Sequence, residues 1–243
     1  MTARTAAWHT ATVVASRPET ATARRIELDV PTWPGNEAGS HLDVRLTAPD
    51  GYQASRSYSI ASAGPGTRLV LAVDEVPDGE VSPFLVHDLR ESDRIEVHGP
   101  LGAFFVWVPS DDPAPVQLIA GGSGVVPLFA MASAHAASAD ASPFRLLYSV
   151  RSPDDVFFAD ELAALVDERF ALDLVYTRRA PADAERVPGR LTIDGLRASV
   201  VPAERQPRVF VCGPTPFVEA VAGWLIEAGH SPALIRTERF GGS

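Results

Sequence analysis

The chain has 243 residues, 46% of them hydrophobic and 21% charged, enough for two modest domains or one large one around a substantial core. All 21 basic residues are arginines, and 31 acidic residues leave a net charge of −10, a balance that speaks against general nucleic-acid binding or an anionic membrane surface. Cys212 is the single cysteine, which excludes an internal disulfide and a four-cysteine metal or iron–sulfur site, and the six histidines are scattered without metal-ligand spacing. The N-terminal stretch has no apolar core of signal-peptide type, and no segment reaches the roughly 18 uninterrupted apolar residues of a membrane helix, so a cytoplasmic protein is expected.

From Trp8 to Trp107 the chain reads as short β-prone runs broken by Pro, Gly and Asp. Strands are predicted at Thr10–Ala15, Arg24–Val30, His41–Leu46, Arg56–Ile60, Leu69–Val76, Arg94–Val97 and Phe104–Val108. The polar–apolar alternation of ARRIELDV and HLDVRL turns one face inward, and many closely spaced strands point to a barrel or sandwich. One short helix is expected at Pro83–Leu89, with Ser82 as its N-cap.

Within this half, RSYSIAS (56–62) is the densest cluster suited to an aromatic, phosphorylated ligand. On a strand, Arg56, Tyr58 and Ile60 share one face, while Ser57 and Ser59 share the other. A guanidinium binds phosphate bidentately, a tyrosine ring stacks on a planar ring, and a hydroxyl or N–H reaches a ring nitrogen. An exposed polar strand would read the same way.

VPSDDPAP after Trp107 reads as a linker between domains at 1–110 and 114–243. Beyond it, strands predicted at Val116–Ala120, Phe144–Val150, Leu172–Tyr176, Arg208–Cys212 and Ala233–Thr237 alternate with helices near Val125–Ala137, Val156–Val166, Ile193–Ser199 and Thr215–Glu227. This alternation predicts a Rossmann-like α/β domain, a parallel sheet with ligands at the carboxyl ends of its strands.

AGGSGVVP (120–127) joins the first of these strands to the first helix. Gly121, Gly122, Ser123 and Gly124 form a tight turn leading into the positive end of a helix, the ingredients of a pyrophosphate cradle, with Pro127 in the first helical turn. The spacing is that of the dinucleotide fingerprint, except for Pro127 where a small residue is usual; a ligand-free glycine connection has the same pattern. Arg151, Arg178 and Arg190 fall at or near strand ends, and arginine there favours the 2′-phosphate of NADP over NAD. Asp154 and Asp155 are close enough in sequence to pair with Arg151, and Asp155 suits an N-cap for VFFADELAAL. VFVCGPTPFVEAV (209–221) repeats the strand–turn–helix design around Gly213 and Pro214, which sets Cys212 at a strand end facing the cleft.

R-x-Y-S, then G-x-x-S, then G-G-x-G-x-x-P, then C-G-P, in this order, resembles the ferredoxin–NADP reductase superfamily, and the likeness runs from RSYSIAS to the terminal TERFGGS. The resemblance implies an antiparallel Greek-key barrel that binds FAD, followed by the NAD(P)-binding sheet. It implies that Arg56 contacts the FAD pyrophosphate, Tyr58 packs on the isoalloxazine, Ser59 lies near the flavin nitrogen that receives hydride, and Gly79, Val81 and Ser82 form a second phosphate element. It implies that Cys212, with Gly213 and Pro214, places the nicotinamide, and it nominates Glu238 for proton relay and Phe240 for shielding the ring. The activity implied is passage of electrons from NADPH, or NADH, through FAD to a separate acceptor such as ferredoxin, flavodoxin or another iron–sulfur carrier. A reductase of free flavin or ferric chelates, and an electron-transfer subunit without independent turnover, carry the same motifs.

Overall fold

The computed structural model describes residues 6–241 except 112 and 185; Asp112 of the linker and Gly242 and Ser243 of the tail lie outside them. The chain divides into two compact units, 1–108 and 109–243.

The first unit is a six-stranded antiparallel sheet in the order β4-β3-β6-β1-β2-β5. Its strands are β1 (Ala7–Pro18), β2 (Ala23–Asp29), β3 (His41–Thr47), β4 (Gln53–Ser59), β5 (Arg68–Asp74) and β6 (Arg94–Leu101). The late strand β6 inserts between β1 and β3, which is the Greek-key feature. The sheet curls until its edges meet where Ile60 bridges Leu71 and the Ala61 N–H donates to Val70 O at 2.7 Å. Inward positions of the alternating strands, Ile26 and Leu28, Leu42 and Val44, Leu69 and Leu71, fill the interior with Leu85 and Leu89. Burial of each such side chain contributes about 1.5–3 kcal/mol. The loop between β2 and β3 is held by buried Asn36, which accepts from Trp33 Nε1 at 3.1 Å and donates to Ser62 O at 2.8 Å.

Two expectations in this unit are corrected. Phe104–Val108 alternates in burial but is not a strand: Trp107 makes an isolated bridge to Ala38. The helical segment is a π-type turn, Phe84–Asp88, and Ser82 does not cap it. The Ser82 hydroxyl accepts from the Val76 N–H at 3.0 Å, closing the preceding loop instead.

The second unit is a five-stranded parallel sheet, β11-β10-β7-β8-β9, matching the predicted α/β domain. Its elements are β7 (Val116–Gly121), α1 (Val125–Ala136), β8 (Phe144–Val150), α2 (Ala159–Leu165), β9 (Phe170–Tyr176), α3 (Ile193–Ser199), β10 (Arg208–Pro214), α4 (Thr215–Glu227) and β11 (Ile235–Phe240). Ile119, Leu147, Val209 and Val211 pack with Leu196 of α3 and Val218, Val221 and Leu225 of α4. On the other helix layer, His135 of α1 stacks on Phe144 at 4.0 Å and Phe129 of α1 stacks on Phe158 at 4.0 Å. The start of the unit is tied down by Asp140, which accepts from the N–H groups of Ser110 and Ser142, each at 2.7 Å.

Here too, boundaries shift for local reasons. The second helix begins at Ala159, not Val156, because Phe158 adopts a left-handed conformation (φ 56°) as its N-cap. Asp155 lies in the preceding 3-10 turn and accepts from the Ser152 hydroxyl at 2.6 Å, so it is not the cap. The last strand starts at Ile235 after a 3-10 turn at Pro232–Leu234 and runs on to Phe240.

His135 is 1% exposed; burial, and secondarily Arg169, push its pKa below the ordinary 6.5. Between that depressed value and 6.5 the unfolded chain binds a proton that the folded chain does not, so stability falls as pH drops through this window. Thermal melts of His135→Phe should therefore show a weaker loss of Tm from pH 7 to pH 5 than wild type; parallel curves would remove His135 from the acid response.

Candidate functional site

In the barrel, strand β4 carries RSYS beside β3, with Ser59 opposite His41, Tyr58 opposite Leu42, Ser57 opposite Asp43 and Arg56 opposite Val44. Tyr58 packs on the barrel core, and burial pushes its phenol up to about 12, so it is a neutral ring at any physiological pH. The Ser57 hydroxyl donates to Asp43 Oδ1 at 2.6 Å. Arg56 is exposed and forms an ion pair with Glu80, within the Gly79–Ser82 segment. Glu80 also accepts from the Tyr52 hydroxyl at 2.5 Å; that bond, with Arg56 beside it, holds its carboxyl below the ordinary range. The fold thus joins the R-x-Y-S strand to the G-x-x-S segment. Sequence reasoning missed Tyr52 and Glu80, whose only signal was their closeness to the two motifs. It also missed Asp43, which pairing alone brings to Ser57.

In the parallel sheet, the glycine turn is a 3-10 turn, Gly122–Gly124, leading straight into α1. Its glycines have different reasons. A Cβ on Gly124 would sit 2.3 Å from the Cys212 carbonyl oxygen, and one on Gly121 would meet the Phe217 ring at 2.8 Å, so both are required by packing. Gly122, at φ +54°, faces nothing within 4 Å and leaves open space for a ligand. Ser123 lies between them, half-buried.

The three arginines converge. Arg151 directly follows β8, and its carbonyl accepts from the N–H groups of Arg178 at 2.9 Å and Arg179 at 3.1 Å, directly beyond β9. The Gly189 N–H donates to Tyr176 O at 3.0 Å and brings Arg190 to the same end. All three side chains are exposed. The expected pairing of Arg151 with Asp154 is corrected: Asp154 forms its ion pair with Arg179.

Cys212 lies two residues before the end of β10 at Pro214, as its place in the motif predicts, and is 2% exposed, so its thiol is more enclosed than a cleft-facing position implies. Burial, and then its neighbour Glu238, push the thiol well above its ordinary value. Glu238 stands beside Cys212 in the β10–β11 register, and Phe240 beside Pro214. A neutral, enclosed thiol is a packing group and not a nucleophile. Among the described residues no group of three or more His, Cys, Asp or Glu side chains is arranged to hold a metal ion, and no helix is long and apolar enough to cross a membrane.

Comparison with known proteins assigns both units. Residues 16–106 match the family described as "Oxidoreductase FAD-binding domain" and residues 118–223 the "Oxidoreductase NAD-binding domain". An Amycolatopsis cytochrome P450 reductase of known structure is 30% identical, with a TM-score of 0.84 over 97% of this chain and 70% of that one. A ferredoxin NADP+ reductase from Neisseria gonorrhoeae, solved with FAD and NADP, is 20% identical with a TM-score of 0.80, covering 96% of this chain and 98% of that one, and shares the fold. The 2-halobenzoate 1,2-dioxygenase electron transfer component of Burkholderia cepacia is 29% identical over 83% of this chain. The glycine betaine monooxygenase reductase subunit of Pseudomonas aeruginosa is 30% identical over 79% of it. The chain spans 58% and 53% of the length of these two curated relatives. It belongs to the ferredoxin–NADP reductase superfamily, with an FAD-binding barrel followed by an NAD-binding domain.

The glycines make a paired prediction. Gly124→Ala forces backbone apart and should cost about 3 kcal/mol or more of stability, read as a lower Tm of the second unit. Gly122→Ala meets no atom and should cost only about 1 kcal/mol for its left-handed φ, while weakening NADPH binding in a fluorescence titration. The reverse ranking would show that the turn is not arranged in this way. Cys212 should fail to react with an aromatic disulfide reagent at pH 8 in the native protein and react in full once guanidinium unfolds it; rapid native labelling would contradict its burial.

Proposed function

We propose that this chain is a flavin-dependent reductase that takes electrons from NADPH, with NADH as the weaker donor, and passes them through FAD to a separate protein carrier. The observation that carries the reading is the order of two cofactor domains, FAD-binding then NAD-binding, each with exposed arginine at the segment its family motif assigns to phosphate. Bound FAD supplies the redox chemistry, accepting electrons from the nicotinamide in a pair and releasing them singly. The protein supplies position and electrostatics.

Arg56 and the backbone of Gly79, Val81 and Ser82 hold the flavin diphosphate. Tyr58 offers a neutral ring for the isoalloxazine to pack on, and the Ser59 side of β4 orients the flavin edge. In the second domain Gly122, Ser123 and Gly124 receive the nicotinamide nucleotide's pyrophosphate. Arg151, Arg178 and Arg190 give it a cationic rim, with Arg178 the contact for the 2′-phosphate. Cys212, with Gly213 and Pro214, sets the depth of the nicotinamide as a neutral thiol. Glu238 holds a proton or balances charge beside it, and Phe240, 37% exposed at the end of β11, offers a ring to cover the flavin.

The relatives named as electron transfer component and reductase subunit favour an acceptor that is itself an oxygenase or an iron–sulfur protein. The one cysteine of this chain cannot form a four-cysteine cluster, so an iron–sulfur centre of such a system lies outside these 243 residues; a ferredoxin-type carrier or a flavodoxin fits that place.

Purified protein should be yellow, and its flavin bands should bleach under NADPH without air; colourless protein that takes up no added FAD ends this reading. Arg178→Ala should raise the KM for NADPH by about tenfold, the scale of one lost charge-assisted contact, with the KM for NADH nearly unchanged. Equal rises for both would refute the 2′-phosphate role.

A further inference from the structure

The loop that leads into the turn at Phe84–Asp88 is held rigidly, and it aims a carboxylate at Arg56. A Cβ on Gly79 would sit 2.8 Å from the Val76 carbonyl oxygen, and the Ser82 hydroxyl accepts from the Val76 N–H at 3.0 Å. Val81 and Ser82 are buried, while the Glu80 side chain between them and Gly79 is 42% exposed and meets β4 from outside. Each of its oxygens has its own donor: Oε1 accepts from the Tyr52 hydroxyl at 2.5 Å and Oε2 from Arg56 Nη2. Arg56 Nη1 donates to the Ser55 carbonyl at 2.8 Å. Both terminal nitrogens of the guanidinium are thus engaged, one of them by an anion that the chain itself supplies.

We propose that Glu80 is a built-in competitor of the flavin diphosphate for Arg56, so that the carboxylate weakens flavin binding and makes it depend on pH. The inference rests on the reading of Arg56 as the diphosphate contact. Two effects of Glu80 oppose each other. By steadying the guanidinium it lowers the ordering cost of binding; by pairing with it, it adds the cost of opening an ion pair. The second prevails because the Ser55 carbonyl still anchors Arg56 when Glu80 is removed. Nor does another cation wait to replace Arg56 at Glu80 among the residues lining the adjoining cleft. Arg45 is taken by Glu96 through hydrogen bonds of 2.8 and 3.0 Å, and Arg94 is offset by Asp93.

With the pair closed, the Tyr52 hydroxyl first and Arg56 after it hold the Glu80 carboxyl below its ordinary range. A diphosphate on Arg56 takes away the cation and sets negative charge nearby, so the carboxyl rises on binding. A group that rises on binding takes up a proton, and affinity therefore increases as pH falls through the interval between the two values.

The test is a titration of protein stripped of flavin with FAD, followed by tryptophan fluorescence. Glu80→Gln, which keeps the shape and removes the charge, should bind FAD about fivefold more tightly than wild type at pH 8, the upper scale of a half-exposed ion pair. That advantage should shrink from pH 8 to pH 4 as wild type gains a proton, and it should vanish in an Arg56→Ala background. Weaker binding by Glu80→Gln would make the residue a positioning group for Arg56, and unchanged binding would leave it without influence; either result, or an equal gain in the Arg56→Ala background, overturns the competition. If Arg56→Ala alone binds FAD as tightly as wild type, the diphosphate reading of Arg56 fails, and if wild type takes up no FAD the flavin reading fails with it. Should Glu80→Gln not fold, a wild-type affinity that stays flat from pH 8 to pH 4 would overturn the proposal by itself.

Discussion

The carboxyl end of the parallel sheet is built on a contact that only glycine permits. Gly124 comes so close to β10 that any side-chain carbon would fall 2.3 Å from the Cys212 carbonyl oxygen, and Gly121 and Gly213 both press on the Phe217 ring. These contacts lock the turn after β7 against the strand–turn–helix of β10 and α4. With that lock in place, Gly122 alone of the turn's glycines is left to face open space, and beyond β8 and β9 the Arg151 carbonyl ties Arg178 to the same end of the sheet. Larger residues here would separate the two turns before they touched any ligand.

The same economy is visible in the barrel. One strand, β4, carries a half-buried ring and an exposed guanidinium, with a second ring, Tyr52, just before it, and the return of the chain through residues 79–84 sets a carboxylate and another aromatic beside them. The period of two in β4 turns Tyr58 toward the core while Ser57 and Ser59 address its other side. Glu80 then ties strand to loop. A cofactor entering here meets a surface whose charges are already oriented, which lowers the ordering cost of binding.

Cys212 illustrates how burial decides chemistry. A cysteine at the end of a strand suggests reactivity, yet enclosure and the neighbouring Glu238 both disfavour the thiolate. The group is retained as a small, polarizable, neutral surface, and the electron chemistry of the family is carried by cofactors.

Hydrophobic alternation, glycine spacing and the order of four motifs determined the two-domain plan, the antiparallel and parallel character of the sheets and most element positions, because each is a local pattern with a local cause. Ile193–Ser199 and Thr215–Glu227 were legible to the residue for that reason. Tertiary structure decided what local pattern cannot express. It gave Phe104–Val108 an isolated bridge, Trp107 to Ala38, in place of a strand, gave the Ser82 hydroxyl to Val76, turned Phe158 left-handed ahead of α2 and paired Asp154 with Arg179 instead of Arg151. It also divided the glycines by role, since which of them touches backbone and which faces open space depends on strands about ninety residues apart in the chain. The Tyr52–Glu80–Arg56 group belongs to this second kind: three ordinary polar side chains acquire meaning only when the barrel closes and brings residues 52, 56 and 80 together.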